Sequence, residues 1–181
     1  MSRLRAICSV FLAAGLLFTA CGKKSPPVAS DPLTRGREAR TLFENAEKQY
    51  HLTSAEAHGA EKQKLLAQAA TAYDEVVRKY PDQNVWAAQA MRSLANVRIE
   101  QGRVDEGIKL FALVAQKYPD QSWEVLQAWK TAGDTLWDAN RQDEARGFYK
   151  KIVGRFDNDS SPAIYKTVVR GAGRRLGAPS K

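Results

Sequence analysis

An all-α chain folded as a solenoid of stacked helix hairpins is what the sequence predicts, and three observations predict it. The pentapeptide KYPDQ stands at residues 79–83 and again at 117–121. Around it, an echo at an offset of 38 residues aligns Lys79, Lys117 and Arg155, then Tyr80, Tyr118 and Phe156. The same offset aligns Tyr73, Phe111 and Tyr149, and Val76, Val114 and Ile152. Self-similarity at a fixed period of about 20–50 residues marks repeat architectures. Finally, apolar residues recur at helical spacing after residue 35, and no stretch alternates as a half-buried strand would.

Each element has a local cause. The aromatic at 73, 111 or 149 and the branched residue three later share one helical face, so each helix must bury that stripe against a neighbour. Lys-Tyr-Pro stops the helix, because the residue before proline is pushed out of the α region. Asn84, Ser122 and Ser160 follow as residue types that cap the next helix. Within a unit, Gln101-Gly102 and Ala139-Asn140 supply left-handed ends, and Asp105 and Asp143 stand three residues on as expected caps. The predicted helices are 35–50, 60–79, 85–100, 105–117, 123–138, 143–155 and 162–176, with Pro162 suited to a first turn. Residues 51–63 break the period.

A length of 181 residues suits one domain or one short array, and 44% hydrophobic with 27% charged residues excludes a disordered polymer. The start of the chain differs from the rest. Residues 1–5 carry Arg3 and Arg5 without an acid, and residues 6–20 are almost entirely apolar, too few for a bilayer-spanning helix. They read as a secretory signal. At its end LFTAC resembles the lipobox of bacterial lipoproteins, although Phe18 stands where leucine is usual. The resemblance implies acylation of Cys21, with chains such as palmitate, and cleavage after Ala20. Gly22 rather than aspartate implies the outer membrane, facing the periplasm, over inner-membrane retention. Residues 21–34, small, polar and proline-rich, are expected to form a flexible tether, with residues 35–177 as the repeat domain and 178–181 as a loose tail. The only other cysteine is Cys8, inside the signal, so the mature chain has no disulfide.

The repeats resemble the tetratricopeptide repeat, lengthened to 38 residues. Leu94-Ala95, Gly107, Phe111, Val114 and Pro119 fall at that family's spacing, as do Trp129, Ala132-Gly133, Leu136, Ala145, Tyr149 and Ile152. About three hairpins plus a C-terminal capping helix are expected. With the lipobox and tether, the chain is similar to two groups of envelope proteins: the barrel-assembly lipoprotein BamD and its relatives, and the C-terminal repeat domain of the Tol-associated protein CpoB. These resemblances imply a non-catalytic scaffold or adaptor for protein or peptide partners, serving barrel assembly or cell-wall and Tol-linked processes.

Carrying the family's groove positions over picks out Arg92 and Asn96, then Lys130, Asp134 and Trp137. Arg92 and Asn96 resemble half of a carboxylate clamp, whereas Asp134, in the place equivalent to Asn96, would repel a carboxylate. Trp137 is expected either to stand exposed as a binding anchor or to pack against the next helix, and Trp86, Trp123 and Trp129 to pack between units. Residues 141–181 hold ten basic and four acidic side chains, while the remaining mature chain balances at 16 of each. Lys166, Arg170 and Arg174 repeat every fourth residue, opposite an apolar row of Ile164, Val168, Ala172 and Leu176, and form either the solvated outer face of a terminal repeat or a basic docking face for an acidic partner or an anionic envelope surface. No basic surface interleaved with aromatics points to nucleic acid.

Catalytic chemistry finds little support. His51 and His58 lack a third ligand or an HExxH pattern and read as solvated, so no metal is expected. Asp105 with Glu106 and Asp143 with Glu144 stand at helix starts, where acids suit the dipole. Phosphate-loop and nucleophile-elbow motifs are missing, so neither an enzyme, a cofactor nor a small-molecule substrate is expected.

Overall fold

The computed structural model describes residues 31–177. Cys21, the expected signal, the tether up to residue 30 and the tail 178–181 lie outside the described residues. Within them the chain is all-helical and no strand occurs. In chain order the elements are α1 (Pro32–Asn45), a π-helical segment (Ala46–His51), α2 (Leu52–Ser54), α3 (Gly59–Lys79), α4 (Asn84–Glu100), α5 (Val104–Lys117), α6 (Ser122–Asp138), α7 (Gln142–Phe156) and α8 (Ala163–Gly177). Among the described residues, no helix is long and apolar enough to cross a membrane.

Neighbours in sequence pack as neighbours in space: α1 and the π segment against α3, α4 against α5, α6 against α7, and α8 against α7. The first helices of successive units also touch, α1 with α4, α4 with α6 and α6 with α8. The echoed stripe is the core. Tyr73, Phe111, Val76, Val114 and Ile152 are fully buried and Tyr149 nearly so, and each such side chain stabilises the fold by about 2–3 kcal/mol.

The turns repeat in detail. Gln83 and Gln121 donate their backbone N–H to Tyr80 and Tyr118 carbonyls at 3.0 Å in both KYPDQ turns. Gly102, at φ 79°, and Asn140, at φ 60°, end α4 and α6 in the left-handed region. Arg103 N–H then reaches the Arg98 carbonyl and Arg141 N–H that of Leu136, both at 2.8 Å, satisfying the last carbonyls in a Schellman motif.

Several boundaries correct the predicted ones. Helix α1 starts at Pro32, so residues 32–34 are helical rather than tether; Asp31 caps it by accepting from the Leu33 and Thr34 N–H groups. Asn84 and Ser122 are first helical residues, one beyond Gln83 and Gln121, which hold the cap position without a side-chain bond. Ser160 sits in the turn ahead of α8, its hydroxyl donating to Asn158 Oδ1. Asp105 and Asp143 lie inside the first turns of α5 and α7, where Arg103 and Arg141 are the cap residues. The buried residues of α8 are Val169 and Ala172, while Ile164 remains 61% exposed.

Arginines strap the turns on the outside. Arg35 of α1 holds Asp82 and the Lys79 carbonyl, Arg141 reaches Asp105 at 2.6 Å, and Arg155 donates to the Pro119 carbonyl. The Arg35 guanidinium keeps the Asp82 carboxyl well below the usual carboxylate range.

Close helix approach depends on two glycines. A Cβ on Gly107 would stand 2.6 Å from Ile99 Cδ1 and 2.8 Å from the Ala95 carbonyl oxygen, and one on Gly133 would stand 2.7 Å from Tyr149 Cε1. Gly107→Ala is therefore expected to lower stability by about 1–3 kcal/mol, since backbone has to move. A urea unfolding midpoint equal to the parent's contradicts this.

Candidate functional site

A recess of about 490 Å³ opens between α6, α7 and α8. Lys130 and Asp134 line it from α6, Tyr149 and Ile152 from α7, and Val168, Ala172, Arg174 and Arg175 from α8. The spacing of four on α6 brings Lys130 Nζ to 2.6 Å from Asp134 Oδ2. From the facing helix the Tyr149 hydroxyl donates to Asp134 Oδ1 at 2.8 Å. Burial first, then the Asp134 carboxylate, raises the Tyr149 phenol above its ordinary range, so it stays protonated and keeps donating. Both oxygens of Asp134 are thereby engaged.

Trp137 stands one turn further along α6, half-buried. Its ring lies 6.1 Å from that of Tyr149, with the Arg146 and Arg175 guanidiniums 5.7 and 4.6 Å from its centroid. Of the two expectations for Trp137, the ring follows the packing one: it lies against α7 and is flanked by two cations rather than standing free as an anchor. Trp86 packs on Phe43 and Trp129 on Phe156, as structural residues do. Trp123 stacks on Tyr165 of α8 yet stays 39% exposed.

The described residues contain no group of three His, Cys, Asp or Glu side chains placed to hold a metal ion. His58 is exposed at the cap position of α3. His51, by contrast, is not solvated as expected. Its Nδ1 is 3.1 Å from the Tyr73 hydroxyl and its Nε2 2.9 Å from Glu100 Oε1, with only 18% of the side chain exposed. The π segment, whose widened backbone lets Leu52 N–H reach the Glu47 carbonyl five residues back, turns the ring toward α3 and α4.

A family profile described as a tetratricopeptide repeat-like domain matches residues 35–169, from α1 into α8. The chain belongs to the tetratricopeptide repeat-like family. No curated protein matches it. In a tetratricopeptide repeat-like array the stacked first helices offer a groove, and such domains serve as protein–protein interaction scaffolds.

This array uses its groove positions unevenly. Arg92 of α4 donates from Nε to Glu124 Oε2 of α6 at 2.6 Å, with 25% of its side chain exposed and 7% of the glutamate's. Its guanidinium joins two repeats. Asn96 is half-buried one turn on. Lys166 and Arg170 line a separate hollow of about 320 Å³ with Asp157 and Asp159, whereas Arg174 reaches the α6–α8 recess. The structure thus brings Lys130, Asp134 and Arg174 together, with Trp137 beside them, and leaves Arg92, Asn96, Lys166 and Arg170 elsewhere.

The sequence placed Tyr149 and Ile152 in the buried stripe but not at this recess, and did not single out Arg175. For Tyr149 a signal existed: at the echoed aromatic position, Tyr73 and Tyr149 carry hydroxyls and Phe111 does not. Both hydroxyls turn out to have a partner, His51 and Asp134.

Proposed function

We propose that this chain is a lipid-anchored, non-catalytic scaffold of a bacterial envelope, tethered through Cys21 and recruiting partner proteins to its groove. The observation that carries the reading is the juxtaposition of a tetratricopeptide repeat-like array, matched over residues 35–169, with a charged recess on an apolar floor. The basic and apolar start of the chain, and its LFTAC segment, support the anchor. Several acyl chains on one cysteine hold a protein stably at a bilayer, where a single chain binds weakly. Confinement to the membrane raises the effective concentration of the array near envelope partners. The outer membrane, facing the periplasm, is the proposed site.

Crosslinking in intact envelopes followed by mass spectrometry tests the scaffold role; partners should be joined through α6–α8, and their absence at every position would remove it. Recovery of barrel proteins would narrow the reading to the barrel-assembly role of BamD relatives, and recovery of wall synthases to a cell-wall or Tol-linked role. Cys21→Ser is expected to move the protein from the membrane pellet to the soluble fraction. Continued sedimentation with membranes would reject the anchor.

A further inference from the structure

Resting on the scaffold reading, we propose that the recess between α6, α7 and α8 takes an internal acidic segment of a partner protein. Carboxylate side chains of that segment would meet Arg174 and Arg175, and an aliphatic side chain between them would meet the floor. The terminal helix is then a recognition wall as well as a cap.

Charge decides the class of occupant. The recess carries three cations, Lys130, Arg174 and Arg175, against the single acid Asp134. That acid is already held by Lys130 and by the Tyr149 hydroxyl. Arg174 is exposed and makes no ion pair with a described residue. Arg175 is positioned by the Trp137 ring rather than by a carboxylate. Two planar guanidiniums with unused donors match carboxylate geometry. Between them and α6, Ile152, Val168 and Ala172 form an apolar floor, and a volume of about 490 Å³ suits a few side chains rather than a whole helix.

Two alternatives fit less well. A chain terminus would look for the pair at Arg92 and Asn96, but Arg92 is committed to Glu124. A planar anionic bilayer cannot follow cations into a recess, and the outward-looking Lys166 and Arg170 share their hollow with Asp157 and Asp159.

The test uses the full chain in neutral detergent and a fluorescein-labelled, N-acetylated, C-amidated peptide of glutamate, aspartate and leucine, read by fluorescence polarisation. Saturable binding that weakens as salt rises is expected. R174E should weaken it about tenfold or more, equivalent to about 1.4 kcal/mol. Gly171 also lines the recess, so G171L, which intrudes on it without changing charge, should do the same, while K166E should leave binding unchanged. Circular dichroism confirms that each variant is folded, and R174Q replaces R174E if the latter is not. Equal binding of the lysine counterpart of the peptide overturns the proposal, as does parental binding by both R174E and G171L. So does binding that appears only with a free terminal carboxylate, or an R174E defect confined to sedimentation with phosphatidylglycerol vesicles. Partners crosslinked at α6–α8 alongside a failed peptide would remove this inference and leave the scaffold reading standing. No crosslinked partner anywhere removes both.

Discussion

Phe111→Ala is expected to lower the free energy of unfolding by about 4 kcal/mol, within the 3–5 kcal/mol that emptying a buried phenylalanine site costs. Phe111 is fully buried in the core cluster that joins α4, α5 and α6 through α7. Its neighbours cannot collapse onto the void easily, because Gly107 already brings α5 against the α4 backbone. The position also matters for cooperativity. In a solenoid each unit is held by its neighbours, so weakening the middle hairpin uncouples the two ends. Denaturant unfolding followed by far-ultraviolet circular dichroism should show a lower midpoint and a broadened or split transition. A loss below about 1 kcal/mol would mean that the echoed aromatic is not the core of each unit.

The second large effect concerns Arg92. Arg92→Met is expected to cost about 3–5 kcal/mol, because it strands the buried Glu124 carboxylate without its counter-ion. Adding Glu124→Gln should recover most of that loss, since the remaining group is neutral. The pair joins α4 to α6, so the coupling measured by the double-mutant cycle reports directly on the contact between consecutive repeats. Additive losses from the two single changes would show that the two side chains act independently. A purely ligand-binding arginine would lower partner affinity and leave unfolding untouched.

Much of the architecture was legible because it is periodic. Tyr73, Phe111 and Tyr149 occupy one structural position three times, and the Lys-Tyr-Pro stop works the same way at Tyr80 and Tyr118. The caps expected at Asn84 and Ser122 were misplaced by one residue and those at Asp105 and Asp143 by two; asparagine and serine favour both the cap and the first turn, and here Gln83 and Gln121 hold the cap without side-chain bonds. The π segment left no pattern, since a single widened turn changes no periodicity that a short stretch can display.

The candidate site was only partly legible. Arg92 and Glu124 are 32 residues apart, which matches neither helical spacing nor the echo, so the ion pair could not be anticipated. On α8 the reason is geometric. Steps of four residues drift by about 40° each on a helix of 3.6 residues per turn. A row such as Ile164, Val168, Ala172 and Leu176 therefore winds around the helix, leaving Ile164 in solvent and Ala172 buried. The same drift separates Lys166 and Arg170 from Arg174, which is carried around into the recess.

The two central hairpins achieve their tight fit by different means. The third places its glycine at residue 133, leaving room for the Tyr149 ring, while the second has Ala95 at the corresponding place and puts its glycine across the seam at 107. Despite their kinship, they are not interchangeable parts. A chimera joining α4 to α7 would set the Ala95 methyl against a tyrosine that expects a glycine, and one joining α6 to α5 would leave an unfilled gap between Gly133 and Gly107. Anyone lengthening or shuffling this array should move whole hairpins and never single helices.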